Sequence, residues 1–122
     1  YLHYQGFKFT ERFDANSYLY ITKALDYFDI CDGSETLEAA LAPTQAAFLV
    51  ISFSSDWLYT EAQARDLVTP LRALGREVEY HHVEASFGHD SFLVEVDTMN
   101  ELVGGFLERR WQARCPFTLE TE

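Results

Sequence analysis

Ala47-Phe48-Leu49-Val50-Ile51-Ser52-Phe53 carries a single polar residue, Ser52. A strand with one face in water alternates apolar and polar side chains, because successive side chains point to opposite faces. This run does not alternate, so it reads as a central parallel strand covered on both faces. The residues after it supply a cover. Thr60 and Gln63 have the spacing of a capping box, Ala64, Leu67, Val68 and Leu71 fall on one side of a helix, and Gly75 provides a stop. Pro70 lies inside that helix and lacks a backbone donor, a cost of about 3 kcal/mol in a regular interior, which predicts a kink or break near it. Glu77-Val78-Glu79-Tyr80-His81-His82-Val83 alternates in part and reads as a second strand nearer the sheet edge. Strand, helix, strand is a βαβ unit, and the fold class is α/β.

Upstream, Tyr18, Ile21, Leu25 and Phe28 recur at helical spacing, with Asp14, Asn16 or Ser17 placed to cap the start. Asp32-Gly33-Ser34 reads as a turn, Leu37 to Leu41 as a short helical piece, and Pro43 closes it. Residues 1 to 45 are therefore expected to be a helical segment separable from an α/β segment, residues 46 to 122. Downstream, Asp97 is placed to cap a last helix in which Met99, Leu102, Val103, Phe106 and Leu107 form the apolar side, and Cys115 to Glu122 reads as a loose tail. Two parallel strands alone are rarely stable, and a strand apolar on both faces needs neighbours. Other segments of a longer chain are expected to complete the sheet. An opening on Tyr1-Leu2-His3-Tyr4, without Met, reads as a start in mid-domain.

The 122 residues suit one domain that buries about two thirds of its unfolded surface. Nine Lys and Arg against twenty Asp and Glu give a formal charge of −11, which repels phosphate backbones and anionic bilayers, so neither nucleic acid nor a membrane is an expected partner. No apolar run of about eighteen residues and no charged start before an apolar segment is present in the sequence. Cys31 and Cys115 lack the spacing of a zinc site and the density of a disulfide scaffold, so a reducing cytoplasm is the expected compartment. His81 and His82, adjacent on a strand, point to opposite faces and cannot share a metal. No metal site is expected.

Parallel strands joined by a crossover end on the same rim of their sheet, where open α/β folds bind ligands. Asp56 follows the first strand closely in Ser54-Ser55-Asp56-Trp57, and His89 follows the second in Gly88-His89-Asp90. Adjacent strands lie about 4.8 Å apart, so these loops can bring a carboxylate against an imidazole. Such a carboxylate fixes the imidazole tautomer and leaves the other ring nitrogen free to take a proton from a hydroxyl. Each residue also has a plainer use, Asp56 as a cap or turn former and His89 as an ordinary loop histidine. Their joint placement after successive strands favours catalysis. In α/β-hydrolases the order is Ser, then Asp or Glu, then His, so a nucleophilic serine is expected upstream of residue 1. Ser54 and Ser55 have no glycine-flanked G-x-S-x-G elbow and are not taken as nucleophiles.

Four blocks carry a resemblance: Arg12-Phe13-Asp14-Ala15-Asn16-Ser17-Tyr18-Leu19-Tyr20, Lys23-Ala24-Leu25-Asp26-Tyr27-Phe28-Asp29, Val50-Ile51-Ser52-Phe53-Ser54-Ser55-Asp56-Trp57 and Gly88-His89-Asp90-Ser91-Phe92-Leu93. Together they resemble homoserine O-acetyltransferase over most of residues 1 to 110. A generic esterase shares the Asp and His but not the first block. The resemblance implies the C-terminal part of an α/β-hydrolase fold, a βαβ unit plus C-terminal helix preceded by lid-type helices. Residues 1–45 would be the end of the lid and residues 46–122 the C-terminal part of the core. It implies transfer of an acetyl group from acetyl-CoA, a substrate and not a bound cofactor, to the homoserine hydroxyl, for methionine biosynthesis. His89 would be the general base, Asp56 its orienter, and Asp90 the group that holds the substrate ammonium. The missing N-terminal part would bring the serine, so these residues alone are expected to be inactive, and a homodimer formed through the lid helices is expected. Homoserine O-succinyltransferase, an O-acetylserine-forming relative, another esterase, and a truncated non-catalytic binding module are the alternatives.

Overall fold

A computed structural model describes residues 1–114, and the predicted tail from Cys115 lies outside the described residues. The chain divides into two compact units, Tyr1–Ala40 and the residues from Leu41 onward. In the first, α1 (Leu2–Arg12) and α2 (Ala15–Tyr27) meet at an extended Phe13. The sequence marks this region as helical without separating α1, which has no side-chain cap and carries Arg12 where the helix dipole favours a cation. Of the three candidate caps for α2, Asp14 is the one used: its Oδ2 accepts the Ser17 amide at 2.7 Å. Phe9 stacks on Phe13 at 4.9 Å and meets Tyr18 edge-on at 6.2 Å. Neither helix has a buried residue, and the expected stripe of Tyr18, Ile21, Leu25 and Phe28 is exposed throughout. The short α3 (Leu37–Leu41) forms where expected and ends on a buried Leu41.

The second unit is built on two parallel strands, β1 (Phe48–Phe53) and β2 (Val78–Val83), in register from Phe48 opposite Val78 to Phe53 opposite Val83. Between them runs α4 (Glu61–Ala73). Its capping box is complete: Thr60 N–H donates to Gln63 Oε1 at 2.8 Å and Gln63 N–H to Thr60 Oγ1 at 3.5 Å. Its expected stripe faces the sheet, with Val68 buried and Leu71 wholly so. Gly75, at φ +70°, ends it in a left-handed residue, with the Arg76 amide reaching back to the Leu71 carbonyl and the Gly75 amide to that of Arg72. The predicted break at Pro70 does not occur. The helix continues to Ala73, because Pro70 sits one turn from the end, where its ring forfeits a single bond while its own carbonyl accepts the Leu74 amide at 2.9 Å.

β2 sorts its neighbours by face, as the two-residue period requires. On one side the Arg65 guanidinium of α4 lies 5.2 Å from the Tyr80 ring and Glu61 lies 3.7 Å from His82. On the other, α6 (Val96–Arg114) reaches Glu77 through Arg110 and Glu79 through Arg109. His81 and His82 point to opposite faces accordingly, His81 standing 3.9 Å from Glu79. Ser52, the polar member of the β1 run, is buried on the α4 side, where its Oγ bonds Tyr80 Oη and His82 Nδ1, each at 2.8 Å. α6 starts before the expected cap: Glu95 C=O accepts the Met99 amide, which puts Asp97 in the first turn, where the dipole still favours it. The resulting fold is a small parallel sheet with a helix on each face. Phe48 to Ile51 remain half-buried, and β1 has β2 as its sole strand neighbour among the described residues.

Candidate functional site

The backbone ladder ends where Ser54 N–H donates to Val83 O at 2.9 Å. Beyond it, two loops run on from the strand ends on the same rim. The first turns at once, Asp56 N–H closing back on Phe53 O, and buries the Asp56 side chain. Asp56 Oδ1 accepts the Leu58 and Tyr59 amides, both at 3.0 Å, so a turn formed by the residue's own neighbours fixes the carboxylate. The second loop passes through Gly88, at φ +61°, a left-handed conformation that costs other L-residues about 1–2 kcal/mol. A 3₁₀ turn, Gly88–Asp90, and a short α5, Ser91–Val94, follow, neither of which periodicity could mark. Buried Ser91 donates its hydroxyl to Gly88 O at 2.7 Å.

These loops bring Asp56 and His89 together. His89 Nδ1 is 2.9 Å from Asp56 Oδ2. With the carboxylate as acceptor, Nδ1 carries the proton, and Nε2 is left with no hydrogen-bond partner among the described residues. The imidazole is partly open to solvent, its side chain 42% exposed, whereas the carboxylate is 5% exposed. The hydrogen bond from His89, then the Tyr59 amide, hold the Asp56 carboxyl below its ordinary value, and burial opposes them only in part. Asp56 is thus an anion fixed on its inner side by amides and on its outer side by an imidazole. That arrangement can hold one imidazole tautomer and stabilise its protonated form.

Asp90, the third predicted site residue, follows His89 on the exposed side of the turn and makes no side-chain hydrogen bond among the described residues. Ser54 and Ser55 are both engaged away from the imidazole: Ser54 Oγ with Ala85, Ser55 Oγ with the Gly88 amide. Sequence reasoning missed the walls of the site. The Tyr59 ring lies 4.8 Å from the His89 ring and the Phe92 ring 5.5 Å from it, so two partly exposed aromatic side chains flank the imidazole. Position alone could have suggested both, each being an aromatic three residues from a site residue on a turning backbone.

The class these features define is a partial α/β protein with a carboxylate–imidazole pair on the rim past its parallel strands. No protein-family model matches the chain. Curated relatives do. A protein of Citrifermentans bemidjiense named homoserine O-acetyltransferase is 50% identical over 109 residues, 89% of this chain and 30% of that protein. Proteins of the same name from Methanohalobium evestigatum, 51% identical over 91% of this chain and 22% of theirs, and from Desulfotalea psychrophila, 54% identical over 88% and 28%, agree. The chain is homologous to homoserine O-acetyltransferases, and the resemblance seen in its sequence blocks is borne out. It spans less than a third of the length of these relatives. No helix among the described residues is long and apolar enough to cross a membrane.

Proposed function

We propose that this chain is the C-terminal part of an α/β-hydrolase-fold homoserine O-acetyltransferase, cytoplasmic and catalytic only with the N-terminal part that supplies a nucleophilic serine. In the first half-reaction the serine oxygen attacks the thioester carbonyl of acetyl-CoA and its proton passes to His89 Nε2. The thiolate of coenzyme A leaves and takes that proton. In the second, the homoserine hydroxyl gives its proton to the same nitrogen as its oxygen attacks the acyl-serine, and the proton returns to the freed serine. Asp56 keeps the proton on Nδ1 and stabilises the imidazolium in both halves. Asp90, exposed beside His89, holds the substrate ammonium through a charge-assisted bond. Residues 1–45 form the end of the lid, whose exposed aromatic face joins a second copy in a homodimer, and residues 46–122 the end of the core.

The single observation that carries this reading is the 2.9 Å contact between His89 Nδ1 and Asp56 Oδ2 at the shared rim of two parallel strands, in a chain half identical to proteins of that name. The test is the complete enzyme with His89→Ala or Asp56→Ala, assayed with acetyl-CoA and homoserine, and with water and succinyl-CoA as rival acceptor and donor. Loss of transfer by about 10³-fold or more is expected, on the scale of triad deletions. Near wild-type turnover in either variant would sink the assignment, and substantial transfer by the 122 residues alone would contradict the external serine.

A further inference from the structure

The loops that carry Asp56 and His89 are joined by an ordered series of bonds. After the last backbone rung, from Ser54 N–H to Val83 O, Ser54 Oγ accepts the Ala85 amide at 3.1 Å and donates to the Ala85 carbonyl at 3.2 Å. Ser55 Oγ then accepts the Gly88 amide at 2.8 Å, and Asp56 Oδ2 accepts from His89. Three consecutive residues of one loop thus meet Ala85, Gly88 and His89 of the other, and the surplus pair Ser86-Phe87 lies between the first two rungs. We propose that Ser54 and Ser55 are positioning residues, whose hydroxyls continue the sheet as side-chain rungs past the backbone ladder and so set the distance and angle of the Asp56–His89 bond.

The physical case rests on where freedom would otherwise enter. Five residues, Glu84 to Gly88, separate the end of β2 from His89, and the last of them is the left-handed Gly88. Glycine is the residue least able to hold its own conformation. Here both its peptide groups are tied: its amide by Ser55 Oγ, its carbonyl by Ser91 Oγ at 2.7 Å. Ser91 ties Gly88 only to the turn that follows. Ser55 ties it to the strand that carries Asp56, so it transmits the position of one partner to the other. A displacement of about 1 Å between catalytic groups can cost on the order of 10²-fold in rate.

The inference rests on the reading of Asp56 and His89 as a catalytic pair, so the test has one readout that needs no turnover. Complete enzyme labelled with ¹⁵N-histidine is examined by NMR for the Nδ1 proton of His89, and the kinetics of the same samples are measured. Ser55→Ala should shift or broaden that proton and lower kcat about tenfold, with KM for homoserine within about twofold. Ser54→Ala should do the same to about threefold, and Ser55→Thr, which keeps the oxygen, should recover most of kcat. If Ser55→Ala does not fold, Ser55→Cys, a weaker acceptor, serves in its place. An unchanged Nδ1 proton in Ser55→Ala overturns the inference whatever the rate, as does failure of Ser55→Thr to recover kcat in folded protein. Full activity in His89→Ala would instead defeat the catalytic reading, and the NMR arm would still decide whether the rungs position the ring.

Discussion

Helices α2 and α4 are each thirteen residues long, each is capped by a side-chain oxygen, and each carries an apolar stripe. Their fates differ. α4 buries Val68, Pro70 and Leu71 against the strands, while α2 buries nothing and exposes Tyr18, Ile21 and Leu25 by more than half. Capping and periodicity are local and suffice to start and stop a helix. Burial needs a surface supplied from elsewhere in sequence, and among the described residues α4 has one in the strands of its own unit. The Asp56–His89 pair sits in the unit that has such a surface, which is why its geometry is defined among the described residues, while the first unit's aromatic side chains stay exposed.

The largest effect that would sharpen this contrast is chemical. Asp56→Asn keeps the shape and an oxygen for the Leu58 and Tyr59 amides, but its NH₂ must face Nδ1 of His89 and so selects the wrong tautomer. Turnover of the complete enzyme should fall about 10⁴-fold. A pH titration of stability checks the electrostatics. The folded-state carboxyl of Asp56 lies below its ordinary 3.8, so its contribution is present above that pH and disappears as pH falls through the lower folded value. Glu77, held down by Arg110 from an ordinary 4.5, acts with the same sign. Asp56→Asn and Glu77→Gln should each flatten the acid limb of the stability curve, and a variant as steep as wild type there would refute its assignment.

Next in size is packing. Leu71→Ala removes a side chain with no exposed surface and should cost about 2–5 kcal/mol in urea unfolding. Leu25→Ala, two thirds exposed in α2, should cost within about 0.5 kcal/mol when no partner is present. Were the two losses equal, the contrast between the helices would fail. A rise in the Leu25→Ala loss once the N-terminal part is supplied would locate the missing surface there. Gly88→Ala comes after these. A new Cβ would meet nothing nearer than Ser55 O at 3.8 Å, so there is room for it. The backbone at φ +61° is the obstacle, worth about 1–2 kcal/mol, and relaxation of that strain should turn His89 away from Asp56 and lower kcat alongside stability.

How much of this was legible in the sequence follows the same division between local and non-local. The capping box at Thr60 and Gln63 and the stop at Gly75 have local causes and form as read, and the run 47–53 forms a strand from Phe48, though its central place in a sheet is not seen among the described residues, where β2 is its sole neighbour. The meeting of Asp56 and His89 was legible because topology fixes that rim, whatever lies between the strands. Pro70 misled because a single lost bond near a helix end is cheap beside the burial of Leu71, a comparison that needs the tertiary structure. The roles of Ser54 and Ser55 were hidden for a related reason. A serine hydroxyl has no pattern in sequence, and its partners, Ala85 and Gly88, lie over thirty residues away.

The smallest effect tests the local half of the comparison. Asp14 caps α2 through the Ser17 amide and Thr60 caps α4 in a reciprocal box, so replacing either by Ala should remove about 1 kcal/mol of helix stability. The readouts should diverge. Thr60→Ala weakens a helix packed on the sheet, and its loss should appear as a lower midpoint of cooperative unfolding. Asp14→Ala weakens a helix with no buried side chain, where little tertiary packing opposes fraying, so its loss should appear as reduced helical circular dichroism before that transition, with the midpoint unmoved. A shift of the cooperative midpoint in Asp14→Ala would mean that α2 is held by the same packing that holds α4, and that its exposed stripe is less free than its surface indicates.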